Sequence, residues 1–386
     1  MTTEHDSSST ISTPGDRRVR SNRADFAFEA VMSDRLYSPK RKVFGWRNWW
    51  MARTYERLGP VASTWSAVCT LASLPDRAGV RDVLPLALDG LPAYHRDGPR
   101  VLTGRGPVGF ESAVVPPLGH GAAVNYDDNS WLGLALVRHY ELCHDDISLP
   151  LAERLFQFVV TGWSADDAWA VPGGIRSTAD PSDTSRRTCA NGPAAALGAL
   201  LYQRTGDQDA LEWALRIYRW TRAALLRDDF LYADRIAPDG TLDTDLWTST
   251  QGSMIGAGVL LADATADAAF LADARATATA ALGRFGLEDL VHRGPASNAV
   301  YFRNLFLLAS GPASRTSPPP GTTAPGTGGA RDPAPAGWAL AGAYDDLLWE
   351  DRDRRSGLFP GCGSPLARLG PMVQIGALLA GAAPHA

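Results

Sequence analysis

The sequence predicts an all-α protein, an (α/α)6 barrel: a toroid of six helical hairpins with inner and outer helix layers. Three observations carry this. Helical periodicity dominates the 386 residues and convincing strand patterns are scarce. Three stretches, "DDNSWLGLALVRHYELCHDD", "CANGPAAALGALLYQRTGDQDALEWALRIYRWTR" and "STQGSMIGAGVLLADATADAAFLADARATATAAL", overlay with Asn129, Asn191 and Gln251 coinciding, at spacings of 62 (191 minus 129) and 60 (251 minus 191). A period of about sixty residues per hairpin gives six hairpins in a chain of this length. The two helices of each hairpin also differ. The first is apolar almost all round and rich in Gly and Ala, as suits a helix packed on both sides, whereas the second sets Leu211, Ala214, Leu215 and Tyr218 against Glu212, Arg216 and Arg219. Inner helices shielded by outer ones follow.

In chain order, residues 1–22 read as a disordered tail, since Ser, Thr and charge dominate and nothing apolar repeats. Two N-terminal hairpins, around Ala24 to Leu58 and Val61 to Tyr94, fit the overlay poorly. The three overlaid hairpins come next. A Pro/Gly-rich stretch at 311–337 reads as a disordered insertion between late helices, because the segment from Trp338 onward is helical but too short to fold alone. Residues 23–386 are therefore expected to form one domain.

Composition excludes several function classes. The chain is 45% hydrophobic and 20% charged, ordinary for a globular protein. Acidic residues outnumber basic ones by 42 to 37 and the basic residues are scattered, so nucleic acid is not expected as a partner. Cys69, Cys143, Cys189 and Cys362 lie far apart without a CxxC pair or a His at ligand spacing, which predicts reduced thiols and no metal site. The polar N-terminus and the lack of a long apolar run point to a cytoplasmic protein without a membrane span.

In this architecture the polar clusters ahead of the inner helices converge on one rim, where Asp127 and Asp128 are adjacent. Capping is the ordinary reading of such a pair, and "YDDLLW", Tyr344 to Trp349, serves as a control for which only that reading is expected. At the first site Tyr126, Asn129 and Trp131 flank the pair, and Asn191 and Gln251 share the rim. Two carboxylates in a partly desolvated cleft do not both ionise easily, so one keeps its proton near neutral pH. One acid and one base are what glycosidic cleavage requires. Neighbouring residues hold their carboxyls close, which favours the retaining route over the inverting one.

The block "YDDNSWLGLALVRHYEL", with "VPGGI", "TCANGPAAALGALLYQRTGD", "LYADRI", "DTDLWTSTQGSMIGAGVLL" and "YFRNLFLL", resembles glycoside hydrolase family 76, the endo-α-1,6-mannanases, from about Ser63 to Leu308. The resemblance implies an (α/α)6 barrel acting with retention on an α-mannoside oligosaccharide or glycan. It makes Asp127 the nucleophile and Asp128 the general acid and base, with no metal and no other cofactor. Asn129, Asn191 and Gln251 are candidate sugar contacts, with capping an equal reading of Asn191; Tyr126 and Trp247 can stack on a pyranose or fill space. Trp46, Trp49 and Trp50 are expected in the core, Trp213 and Trp220 in outer-layer packing, and Arg187 and Asp183 either in an ion pair or on substrate. The sequence departs from the family pattern in two places, with Arg176, Ser177 and Thr178 where an aromatic residue usually follows the Gly-Gly-hydrophobic block and Ser249 where one usually follows Trp-Thr, which bears on subsite preference. The competing readings are an unsaturated glucuronyl hydrolase, a sugar epimerase, which would need paired histidines, and a non-catalytic mannan-binding protein.

Overall fold

The computed structural model describes residues 14–46, 54–164, 166–310 and 332–381. Its helices are α1 (Pro14–Met32), α2 (Leu58–Ala72), the short α3 (Ala78–Arg81) and α4 (Pro85–Gly90), α5 (Tyr126–Cys143), α6 (Ser148–Val160), α7 (Thr188–Thr205), α8 (Gln208–Leu225), α9 (Thr248–Thr265), α10 (Ala268–Arg284), the short α11 (Leu287–Arg293), α12 (Pro295–Ser310), α13 (Pro333–Glu350) and α14 (Pro365–Gly381). Helices α2, α5, α7, α9, α12 and α14 touch in that order and close back on α2, the expected inner ring. Outside it, α6 covers α5, α8 covers α7, α10 covers α9, α13 lies over α12 and α14, and α1 packs on α14. The poor overlay of the N-terminal hairpins has a structural reason: α1 is an outer helix that precedes its inner partner, and among the described residues α2 is followed by the short α3, α4 and 3-10 turns in place of a long outer helix.

Small residues let the inner helices approach. A Cβ on Gly252 would fall 2.6 Å from the Tyr301 Cα of α12, and Gly370 of α14 meets the Thr64 side chain of α2 as tightly. Two three-stranded antiparallel ribbons decorate the barrel. One joins β1 (Tyr37–Ser38), β2 (Val43–Trp46) and β3 (Thr54–Tyr55), the other β4 (Arg186–Arg187), β5 (Arg235–Ile236) and β6 (Leu242–Asp243).

The sixty-residue repeat is visible in the turns that reverse each hairpin. Inner helices α5, α7 and α9 end on His144, Gly206 and Ala266 in the left-handed region, with φ of 51°, 75° and 58°. Each is followed by an aspartate whose Oδ1 accepts a backbone N–H two residues on: Asp145 from Ile147 at 2.9 Å, Asp207 from Asp209 at 3.0 Å, Asp267 from Ala269 at 2.9 Å. The left-handed residue turns the chain; Asp207 and Asp267 then cap the outgoing helix, and Asp145 holds the first amides of α6 from two residues before its N-cap, Ile147.

Two boundaries are corrected. Residues 14–22, expected in a disordered tail, lie in α1. Their sequence is polar because the helix is fastened by charge: Arg20 and Arg23 both reach Asp345 and Asp346 of α13, Arg23 at 2.7 Å from each. The "YDDLLW" aspartates are thus neither catalytic nor caps but an ion-pair cluster in the middle of a helix. At the other boundary, residues 333–337, expected in the insertion, form the first turn of α13, capped by Asp332; 311–331 lie outside the described residues, as do Trp49 and Trp50. Trp46 packs against the core. Of the cysteines, Cys69 is buried and Cys362 exposed. Among the described residues no helix is long and apolar enough to cross a membrane.

Ala266 carries a side chain where glycine is unstrained. Ala266→Gly is expected to raise unfolding stability by about 1 kcal/mol, the left-handed penalty less the added entropy of the unfolded chain, measurable as a shifted urea midpoint at constant slope.

Candidate active site

Helix α5 begins at Tyr126 with Asn125 at its N-cap, and Asp127 and Asp128 occupy the first turn, at the rim formed by the N-termini of the inner helices. Both carboxylates are half-buried, open toward the rim and backed by protein. The Asp128 amide donates to Asp127 Oδ1 at 2.8 Å, and the Asn125 side chain does not cap but donates from Nδ2 to Asp128 Oδ2 at 3.1 Å. Gly59, in the first turn of α2, leaves space for Asp128: a Cβ there would lie 2.5 Å from its Oδ1.

The two proton affinities diverge. Burial, and then the neighbouring Asp127 charge, push Asp128 up to about 7 against the opposing Asn125 bond and Arg57. Burial also raises Asp127, but the amides of residues 127 and 128 and the Arg187 guanidinium favour its ionised form. The pair therefore shares charge unequally, Asp128 holding the proton and Asp127 the negative charge.

Two cations frame the pair: Arg57, which sequence reasoning missed, and Arg187, which it placed in an ion pair or on substrate. Arg57 and Arg187 occupy the N-cap positions of α2 and α7, places where Ser, Asp or Asn is usual. That substitution of a cation for a cap was the available signal. Arg187 pairs at 3.3 Å with Asp234, a buried carboxylate raised by its own burial. Asp183, expected opposite Arg187 or on substrate, instead accepts the Thr178 and Ser185 amides at 2.7 and 2.9 Å and shapes its own turn.

Three expected sugar contacts are corrected by one repeated device. Asn129, Asn191 and Gln251 are fully buried and spend their amides on the backbone. Asn129 accepts the Phe110 N–H and donates to the Phe110 and Asn125 carbonyls. Asn191 does the same with Ile175 and Arg187, and Gln251 with Tyr232 and Trp247. Each amide clamps an incoming loop to the residue at the head of its inner helix, which satisfies buried backbone groups and leaves nothing for a ligand. The overlay that aligned these residues is real; its meaning is structural.

Tyr126 is corrected likewise. Its ring is buried, stacks on Phe158 of α6 at 4.9 Å and packs against Gly162, so it faces outward from the rim. Trp247, at the head of α9, remains 38% exposed with the Arg293 guanidinium 5.2 Å from its ring. Trp220 packs as expected, its indole donating to the Pro172 carbonyl at 2.8 Å. The segment bearing Arg176, Ser177 and Thr178 runs beside the pair: the Tyr126 N–H donates to the Ser177 carbonyl at 3.0 Å. Ser249 lies in the first turn of α9, its N–H held by Ser297. Among the described residues no group of His, Cys, Asp and Glu is arranged to hold a metal.

The inner and outer helices form a closed α/α-barrel with two adjacent carboxylates at its N-terminal rim. Residues 111–300 match the model of glycosyl hydrolase family 76, inside the longer stretch, about Ser63 to Leu308, over which the sequence resembles that family, and the resemblance holds. The solved α-1,6-mannanase of Salegentibacter sp., in a variant inactivated by replacing two consecutive aspartates and bound to α-1,6-mannotetrose, superposes with a TM-score of 0.74 at 20% identity, covering 94% of this chain and 98% of the other. A family 76 mannosidase from Bacteroides thetaiotaomicron gives 0.73 at 18% identity, over 94% and 98%. Dfg5 from Chaetomium thermophilum, solved with glucosamine, gives 0.62 at 15%, over 96% and 92%. No curated protein sequence matches the chain.

The raised affinity of Asp128 has a cost in stability with a definite sign. Between the unfolded value near 4 and the folded value of about 7 the folded chain holds a proton that the unfolded chain has released, so stability falls as pH rises through that window. Asp128→Asn removes the loss. It is expected to melt a few degrees above wild type at pH 8, with the difference closing toward pH 4, in thermal melts followed by circular dichroism.

Proposed function

We propose that the chain is a retaining glycoside hydrolase that cleaves α-1,6-mannosidic linkages by double displacement. The observation that carries this reading is the placement of two consecutive carboxylates in the first turn of one inner helix, the Asp128 amide donating to Asp127 Oδ1 at 2.8 Å. Asp127, ionised and near Arg187, attacks the anomeric carbon while the bond from that carbon to the leaving oxygen breaks. The Asp128 carboxyl gives its proton to that oxygen. A glycosyl ester on Asp127 results, and Asp128, now a carboxylate, takes a proton from the water that attacks the same carbon and releases Asp127. Two inversions at one centre give net retention. The proton that departs with the leaving alcohol is replaced by one from the attacking water, so both carboxyls end as they began.

The mannoside assignment is supported by the Salegentibacter relative, whose loss of two adjacent aspartates gives an inactive enzyme that still holds α-1,6-mannotetrose. Trp247, exposed at the rim, is the aromatic surface available for a pyranose face. The epimerase reading is not favoured by the histidines: His120 is exposed, and His139 is buried, its Nδ1 accepting the Trp65 indole N–H at 3.1 Å.

Incubation with linear α-1,6-mannooligosaccharides, followed by NMR from the first minutes, is expected to show the α-anomer released first. Asp127→Asn should abolish turnover, and Asp128→Asn should lower kcat by roughly 10² to 10⁴. A β-anomer as first product, or wild type and Asp127→Asn behaving alike on every α-mannoside, contradicts the proposal.

Because Asp128 must begin protonated, kcat/KM is expected to decline above about pH 7. An alkaline limb displaced to pH 9 or beyond in the pH–rate profile would assign the general acid to a different group.

A further inference from the structure

One large cavity is not lined by the aspartates. At the opposite end of the barrel the C-terminal halves of the inner helices, together with α1 and α13, surround a space of about 1800 Å³. Arg138 of α5 and Arg303 of α12 face it. Arg303 is nine-tenths buried, at 9% exposure, and lies 5.2 Å from the ring of Trp131. Both guanidiniums converge on a single hydroxyl, Ser66 Oγ, at 3.1 Å from Arg303 Nη1 and 3.4 Å from Arg138 Nη1. Arg303 Nε is buried without an acceptor. Among the described residues no carboxylate lies within ion-pair distance of either arginine. Of the two carboxylates of the wall, Asp263 is engaged otherwise, and Glu141 pairs with Arg204 at 2.6 Å and acts on Arg138 only through its charge, leaving Arg303 without a carboxylate partner.

Two like charges drawn together in a partly desolvated space are unfavourable unless something offsets them. Burial and mutual repulsion lower the proton affinity of Arg303. The helix dipole does not offset them: Arg138 stands five residues before the end of α5 (143 minus 138) and Arg303 seven before the end of α12 (310 minus 303), beyond the last turn where that effect acts. Trp131 covers a guanidinium face but accepts none of its N–H groups.

We propose that this mouth of the barrel is a second ligand site, which binds a phosphate group between Arg138 and Arg303. The planar forks of Arg138 and Arg303, both on the cavity wall, present donors suited to a doubly charged tetrahedral oxyanion. The cavity far exceeds one ion and has room for a sugar attached to the phosphate. The site is separate from the aspartate rim. Asp127, Trp131 and Arg138 follow one another along a single face of α5, and the eleven-residue step from Asp127 to Arg138 spans roughly 16 Å of helix.

The test uses the full chain, with calorimetry and thermal melts against inorganic phosphate, a hexose 6-phosphate, the neutral hexose, and sodium chloride at matched ionic strength. Saturable binding and a rise in Tm of a few degrees are expected with a phosphate-bearing ligand and not with chloride or the neutral hexose. Arg303→Met and Arg138→Met should each weaken that binding at least tenfold. Without ligand they should melt at or above the wild-type temperature, because an uncompensated charge is gone, which separates lost binding from lost folding. Asp127→Asn should retain the response. Affinity for the hexose phosphate at least tenfold above that for inorganic phosphate identifies a phosphorylated sugar as the ligand, and equal affinities identify free phosphate. No response beyond chloride, a response undiminished in both arginine variants, or an equal response to the neutral hexose overturns the proposal.

Discussion

Closure of the inner ring is the constraint on which the rest depends. Six helices stand side by side with their starts at one end and their finishes at the other, so the barrel has two chemically different mouths. Unpaired N–H groups gather at the first and unpaired carbonyls at the second. The ring closes only where neighbouring backbones come close, which is why Gly252 sits against Tyr301 and Gly370 against Thr64. Larger residues there would spread the helices and move the rim apart. The abundance of Gly and Ala in the inner helices is thus a condition for the site as much as for the fold.

At the N-terminal mouth, burial and charge act against one another. Placing Asp127 and Asp128 in one half-buried turn makes the second ionisation costly, and the positive ends of the helices with Arg57 and Arg187 reduce that cost without removing it. What remains is a proton retained near neutral pH on one of two touching residues. The feature that weakens the folded state is the one on which the proposed acid and base roles rest. The arrangement needs no metal to generate that asymmetry, because neighbouring peptide groups and side chains create it.

The sequence made the architecture legible where a local signal repeated. The left-handed residue followed by aspartate, at His144–Asp145, Gly206–Asp207 and Ala266–Asp267, reverses each hairpin and produces the sixty-residue period. Helix α1 was not legible because its fastening is ionic and its partners, Asp345 and Asp346, lie more than three hundred residues away. The aspartate pair could be read because two like charges are adjacent in the chain itself. Asp234 could not, since only the pairing of β4 with β5 brings it to Arg187. Asn129, Asn191 and Gln251 were misread for a physical reason: a polar residue near a sugar-binding rim and a polar residue tying down a buried loop look identical until the partners of their amides are known.

Those three amides have a consequence for how such a barrel can vary. Each one fixes both feet of a rim loop, the segments 111–124, 176–186 and 233–246, at Phe110 and Asn125, at Ile175 and Arg187, and at Tyr232 and Trp247. A loop stapled at its base can lengthen or change sequence at small entropic expense, because the span to be closed stays fixed. Substrate selection can therefore be grafted from one scaffold of this kind to another by exchanging whole loops, provided the amide and its two anchor points travel unchanged.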